Sequence, residues 1–279
     1  MKARNRDKMS TMLSRPFHRL LLTGAAGGLG RELRRRLPAH CDILRLSDVA
    51  ALGEAAAHEE LRPADLADAG AVLALLDGVD AVVHMGGVST EQPWEAVLPA
   101  NIVGTYNVYE AARRHRVRRI VLASSNHVTG FYRRDETIAA GAAPRPDGLY
   151  GLSKAFCEDL AQLYFDRHGI ETASLRIGSS FPAPKDRRML ATWLSYDDLE
   201  RLVVAGLTAP AIGHTVVYGV SANPRTWWDN APAHRLGFVP RDSSAPWTER
   251  LEHAEPPPDA SDPAQVYQGG AFVTQGFGS

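Results

Sequence analysis

The chain has 279 residues, 44% of them hydrophobic, and a formal net charge of −1. That length and apolar content suit one large α/β domain with a small lobe better than two equal domains, and near-neutrality argues against the basic face of a dedicated nucleic-acid binder. No apolar run approaches the roughly 18 residues of a membrane span, and the N-terminus has no apolar signal core, so the sequence predicts a soluble, cytoplasmic protein without a membrane partner. Residues 1–17, with Lys2, Arg4, Arg6, Lys8 and Arg15, read as a disordered basic leader. Arg19 to Thr23 reads as a strand running into glycines, then a helix from Leu29 to Leu37 that stops at Pro38. A second strand, Ile43 to Leu46, ends near Asp48; Asp65-Leu66 precedes a helix from Ala71 to Leu76, and Asp80 to Met85 reads as a buried parallel strand.

A long helix from about Trp94 to His115, a strand from Arg119 to Ala123, a second long helix from Gly148 to Arg167 and a strand from Thr172 to Ile177 continue the alternation. Strands separated by helices imply a Rossmann-like, doubly wound parallel sheet of the α/β class. Past Gly178 the pattern loosens into a loop at 179–190, a helix at 196–206, a strand from Thr215 to Val220 and a tail rich in proline and tryptophan. The expected organisation is a dinucleotide-binding core over 18–178 and a small substrate lobe over 179–279, integrated with the core at the carboxyl edge of the sheet. Cys41 and Cys157 are the only cysteines and are expected as buried small side chains rather than a disulfide. The histidines show no HExxH or paired Cys/His spacing, so no metal site is expected.

Three motifs bear chemistry. Gly24, Gly27 and Gly30 stand after a strand and before a helix, the context in which glycines allow a tight turn, close backbone approach to a pyrophosphate and close helix packing. Gly28 and Leu29 open that helix, whose N-terminus would face the anion. Asp48, 24 positions after Gly24, lies where a carboxylate meets ribose hydroxyls and repels a 2′-phosphate, which favours NAD over NADP; it also suits an N-cap of the next helix. Asp65 and Leu66 could flank the adenine, and Gly86 would let the backbone pass close to a ribose.

The third motif is Tyr150-x-x-x-Lys154, with Ser124-Ser125 upstream. On a helix this spacing sets phenol and ammonium on one face. A free phenol has a pKa of about 10, and a neighbouring cation favours its ionised form, which makes a general base. Alone, the pair also fits a solvated helix face.

Together, TGAAGGLG, Asp48, Asp65-Leu66, Gly86-Gly87, Asn101, the serine pair and YxxxK resemble the extended short-chain dehydrogenase/reductase family. More narrowly, HMGGVST, ASSNHVTGFY, RPDGLYGLSKAF, RIGSSFPAPKDRRMLATWLS, WWDN and YQGGAFV are similar to the uronate dehydrogenases, across nearly everything from Arg19 to Phe272. The resemblance implies NAD-dependent oxidation of glucuronate or galacturonate at C1 to an aldarolactone. It implies Tyr150 as base, Lys154 as its partner, and Ser125 as holder of the reacting hydroxyl. Ser89, Asn126, His127, Ser179 and Arg188 fall on positions that contact the sugar acid, and the assembly is expected to be a homo-oligomer, as large as a hexamer. Ser180 departs from the family, where a cysteine is expected.

A sugar carboxylate must be paired if it is buried, and an arginine fork does this with two parallel charge-assisted bonds. Arg188 is the candidate and Arg187 its neighbour, against the alternative that both are solvated loop charges. Two other functions stay open. A nucleotide-sugar epimerase or reductase shares the core but usually has a larger C-terminal lobe than the about 100 residues after Gly178. A catalytically silent dinucleotide-sensing regulator typically loses the tyrosine or lysine, and both are present.

Overall fold

A computed structural model describes residues 15–256 and 258–275. Seven parallel strands form the central sheet: β1 (Phe17–Thr23), β2 (Cys41–Ser47), β3 (Glu59–Leu61), β4 (Ala81–His84), β5 (Arg119–Ser125), then β7 (Glu171–Ile177) and β10 (His214–Gly219). The intervening two-residue strands β6 (Ile138–Ala139), β8 (Ser179–Ser180) and β9 (Trp193–Leu194), with the later β11 (Trp228–Asp229), make two small pairings, β6 with β11 and β8 with β9. The sheet order is β10-β7-β5-β4-β1-β2-β3, so the chain reverses direction across the sheet between β1 and β4. Ligands of such open sheets bind outside the carboxyl ends of strands at that reversal.

Residues alternate between the two faces, as the strand repeat requires. Leu20 and Leu22 of β1 and Val121 of β5 pack with α1 (Gly28–Arg36) and with α7 (Tyr196–Thr208) through Leu199, Leu202 and Val203. Leu21, Ile120 and Leu122 face the opposite layer, built from α2 (Ala69–Leu75), α4 (Gly104–His115) and α5 (Leu149–His168). Helices on both faces confirm the expected Rossmann-like, doubly wound architecture. β10 pairs with β7 along its whole length, so the C-terminal third supplies a sheet strand rather than a detached lobe.

Local departures from the sequence reading have physical causes. β3 lies in a segment without apolar alternation because it is an edge strand whose acids are paired: Glu59 meets Arg34 at 2.6 Å, and Glu60 meets Arg45 at 2.7 Å and Arg19 at 3.1 Å. The single helix expected over 94–115 is α3 (Trp94–Val97) and α4 joined by a wide π turn at Leu98–Val103, where Pro99 cannot donate the regular helical bond. The loop expected at 179–190 holds β8 and leads into α6 (Met189–Thr192). Of the leader expected over 1–17, residues 1–14 lie outside the described residues, whereas Phe17 opens β1 and Arg15 donates to the Cys41 carbonyl at 2.8 Å. Cys41 and Cys157 are both buried and free.

Candidate active site

The turn between β1 and α1 is built for close approach. Gly24 has φ +68°, and a Cβ there would stand 2.6 Å from the Met85 carbonyl carbon; one on Gly30 would stand 1.9 Å from the Gly24 oxygen. Gly27 and Gly28 are exposed, open space surrounds the Gly28 Cβ position, and no side chain caps α1. Its first N–H groups, on Gly28, Leu29 and Gly30, therefore form an anion cradle, which fits a dinucleotide pyrophosphate.

Asp48 borders this cradle, accepting from Ala26 N at 3.0 Å and Ala50 N at 2.9 Å. It caps no helix; the next one, α2, is capped by Asp68. Asp65 is exposed and closes a local turn onto Ala67 N, while Leu66 packs so closely that a Cβ on Gly86 would come within 2.7 Å of its Cδ1. Gly86 N donates to Thr23 Oγ1, which contacts His84 Nδ1 at 2.7 Å, and His84 Nε2 meets Thr105 Oγ1 at 3.2 Å. Burial, with Lys154's charge adding to it, pushes the His84 imidazole down to about 3, so this link between β1, β4 and α4 is neutral.

Tyr150 and Lys154 lie in the first turns of α5, both buried, with the ammonium 5.9 Å from the phenol ring centroid. The helix start has no cap of its own, since Gly148 lacks a side chain. Glu91, from the loop after β4, replaces it: its two carboxylate oxygens accept from Leu149 N at 2.9 Å and Tyr150 N at 3.0 Å. Gly148 makes room, because a Cβ there would touch Glu91 Oε2 at 2.2 Å. Asn101, in the π turn, ties the same loop to α5 by donating to Ser153 Oγ at 2.8 Å and exchanging hydrogen bonds with the Val88 backbone. Ser125 ends β5, and its Oγ accepts from His127 N at 3.2 Å. Ser124 points to the other side, donating to the buried Glu158–Arg176 ion pair.

Asn126, His127, Ser179 and Arg188 converge on one wall. Arg188 Nε donates to Gln268 O at 2.8 Å and Nη1 to Ser179 Oγ at 3.3 Å. Asn126, with its amide oriented to suit both neighbours, donates to Ile177 O and accepts from Arg188 Nη2 at 2.8 Å. No carboxylate among the described residues lies within ion-pair distance of Arg188, and burial, then the charge of Arg134, push its guanidinium down to about 10. Neither arginine is a solvated loop charge. Arg187 turns the other way, donating to the carbonyls of Glu252, Glu255 and Pro256 at the end of α9 (Thr248–Ala254). The His127 ring stacks on Phe272 at 3.7 Å and meets Tyr150 edge-on at 5.9 Å. Ser89 is exposed on the loop that also holds Glu91, and no hydrogen bond among the described residues joins its side chain to these groups. Ser180, where a cysteine was expected, has a buried hydroxyl without a partner among the described residues.

Glu91, Gln268 and Phe272 were not among the expected site residues. Gln268 is fully buried, accepts from Trp228 Nε1 and donates to the Arg133 and Glu136 carbonyls, which holds the tail against the wall. Only Gln268 and Phe272 fall within a noted motif, YQGGAFV; Glu91 has no local signature.

Residues 20–199 match the NAD dependent epimerase/dehydratase family. A uronate dehydrogenase of Pseudomonas putida is 58% identical over 266 residues, spanning 95% of this chain and 99% of that protein. Among solved structures, a glucuronic acid dehydrogenase from Chromohalobacter salexigens superposes with a TM-score of 0.91 at 54% identity, covering 93% of this chain and 97% of that one. A tyrosine-to-alanine variant of the Agrobacterium tumefaciens uronate dehydrogenase, complexed with NAD, gives 0.90 at 48% identity, covering 93% and 98%. With the open glycine cradle at the sheet's reversal and Tyr150 and Lys154 on the helix beside it, the chain belongs to the NAD dependent epimerase/dehydratase family, the extended short-chain dehydrogenase/reductases.

Proposed function

We propose that this enzyme oxidises a hexuronic acid, D-glucuronate or D-galacturonate, at C1 to the aldarolactone with NAD as oxidant. The observation that supports this substrate best is Arg188, a guanidinium held by three neutral acceptors and lacking an acidic partner among the described residues, on the wall next to Tyr150. A half-buried charge of that kind, partly stripped of water, gains most when an anion joins it. The substrate carboxylate is that anion.

NAD, when bound, accepts the hydride from C1; Gly24, Gly27, Gly28, Leu29 and Gly30 would hold its pyrophosphate and Asp48 its ribose hydroxyls, with Asp65, Leu66 and Gly86 beside the adenosine. Tyr150 removes the O1 proton, so that the O1 electron pair closes the carbonyl as hydride leaves C1. Lys154 supplies the positive charge that favours the phenolate. Ser125 orients O1, and Asn126, His127, Ser179 and Ser89 meet the ring hydroxyls. Orientation of this kind can supply about 7–11 kcal/mol of a barrier at the extreme.

The test is NADH absorbance with purified protein, NAD and, separately, glucuronate, galacturonate, glucose and UDP-glucose. Turnover is expected with the two uronates; turnover confined to the UDP-sugar would replace this reading with the nucleotide-sugar one. Self-association is part of the proposal. Tyr106 on α4 and Leu152, Phe156 and Leu163 on α5 are 38–49% exposed, an apolar face on helices whose other face is already buried. Phe156→Glu with Leu163→Glu is expected to lower the mass measured by light scattering; an unchanged mass would remove this face from the assembly.

A further inference from the structure

Beside this wall lies a carboxylate to which no role has been given. The Asp147 side chain, just ahead of α5, has no solvent exposure, and its Oδ2 is 2.6 Å from His127 Nδ1. A second tie, from Asp147 N to His127 O at 3.4 Å, holds the same two residues together. Three glycines from separate segments clear the space: a Cβ on Gly130 or Gly269 would come within 1.9 or 2.0 Å of Oδ2, and one on Gly151 within 3.1 Å of Oδ1. Oδ1 has no hydrogen-bond partner among the described residues. Among the described residues, His127 is thus the only side chain bonded to a carboxylate that burial would otherwise penalise heavily.

The consequence is chemical. An ionised carboxylate can only accept, so the shared proton belongs to His127 Nδ1 and Nε2 is left with a lone pair. Nε2 has no partner among the described residues, and the ring cannot turn to find one, being stacked on Phe272 and edge-on to Tyr150. Burial keeps the imidazole neutral, although Asp147 opposes that shift.

We propose that Asp147 is a positioning residue that locks His127 as the Nδ1–H tautomer, so that Nε2 accepts a hydrogen bond from a ring hydroxyl of the sugar. This deepens the uronate reading and rests on it. The wall then has two opposite polarities: Arg188 offers donors to the carboxylate, and His127 offers an acceptor backed by a negative charge. A uronate entering the wrong way round would set its carboxylate against the Nε2 lone pair, so the dyad helps to orient the substrate with C1 at Tyr150.

The experiment is multiple-bond proton–nitrogen NMR on the NAD-bound enzyme labelled at histidine, comparing wild type with Asp147→Asn and using His127→Gln for assignment. In wild type the proton is expected on Nδ1, strongly deshielded by the short bond. In Asp147→Asn, where the amide can donate, it is expected on Nε2, with KM for glucuronate raised about tenfold, the worth of one hydrogen bond, and KM for NAD unchanged. A proton on Nε2 in wild type overturns the proposal, as does one tautomer in both proteins. The wild-type spectrum decides the matter even if the variant fails to fold. It is independent of turnover, so the expected tautomer in a protein inactive on uronates would refute the substrate and spare the role of Asp147.

Discussion

Replacing Arg188 by lysine keeps the charge and removes the fork. Arginine has five N–H donors, and three are already engaged, on Gln268 O, Ser179 Oγ and Asn126 Oδ1. The two that remain lie one on each terminal nitrogen, the pattern that meets both oxygens of a carboxylate. A lysine has one nitrogen and cannot serve the three protein acceptors and the substrate together. Losing one charge-assisted hydrogen bond costs about 1.5–3 kcal/mol, so Arg188→Lys is expected to raise KM for glucuronate roughly 10- to 150-fold. The assay is initial NADH formation against glucuronate concentration at saturating NAD, with NAD affinity and Tm measured alongside. A KM within about twofold of wild type, with NAD binding intact, would refute the pairing of Arg188 with the carboxylate.

Tyr150→Phe is expected to lower kcat by about 10²- to 10⁴-fold, the worth of a general base, with the NAD Kd unchanged by fluorescence titration; turnover within tenfold would leave Tyr150 without that role. Glu91→Ala removes the cap on Leu149 N and Tyr150 N and is expected to cost about 1–2 kcal/mol, lowering Tm by roughly 2–4 °C; scanning fluorimetry showing no shift would count against the cap. His84 is held neutral in the fold, whereas an unfolded histidine takes a proton near pH 6.5. Its contribution to stability is therefore complete above that pH and lost at about 1.4 kcal/mol per pH unit as pH falls from 6.5 toward 3. Urea midpoints at pH 7 and 5 should differ less in His84→Gln than in wild type, and equal differences would exclude His84 as a source of acid sensitivity.

What the sequence reveals and what it hides divide along a physical line. The β1 turn, Asp48 and the Tyr150–Lys154 pair act within one strand–turn–helix or one helical turn, so their spacing is readable. Glu91 acts on backbone N–H groups 58 and 59 residues away, and Arg188 is held by Gln268 80 residues later; bonds to main-chain atoms leave no residue pattern. Adjacent arginines are alike in sequence, yet backbone direction sends Arg187 to the end of α9 and Arg188 to the wall. β3 escaped notice because charge pairing, not apolar alternation, holds it at the sheet edge.

The segment from Gln268 to Phe272 returns from far along the chain to brace Arg188 and His127, and no hydrogen bond among the described residues joins it to the β1 turn. Under the proposed function, the turn that would receive the oxidant and the stretch that braces the sugar-facing wall are therefore separate lengths of polypeptide. Substitutions in that closing stretch would change how Arg188 and His127 are held while leaving the residues of the β1 turn as they are.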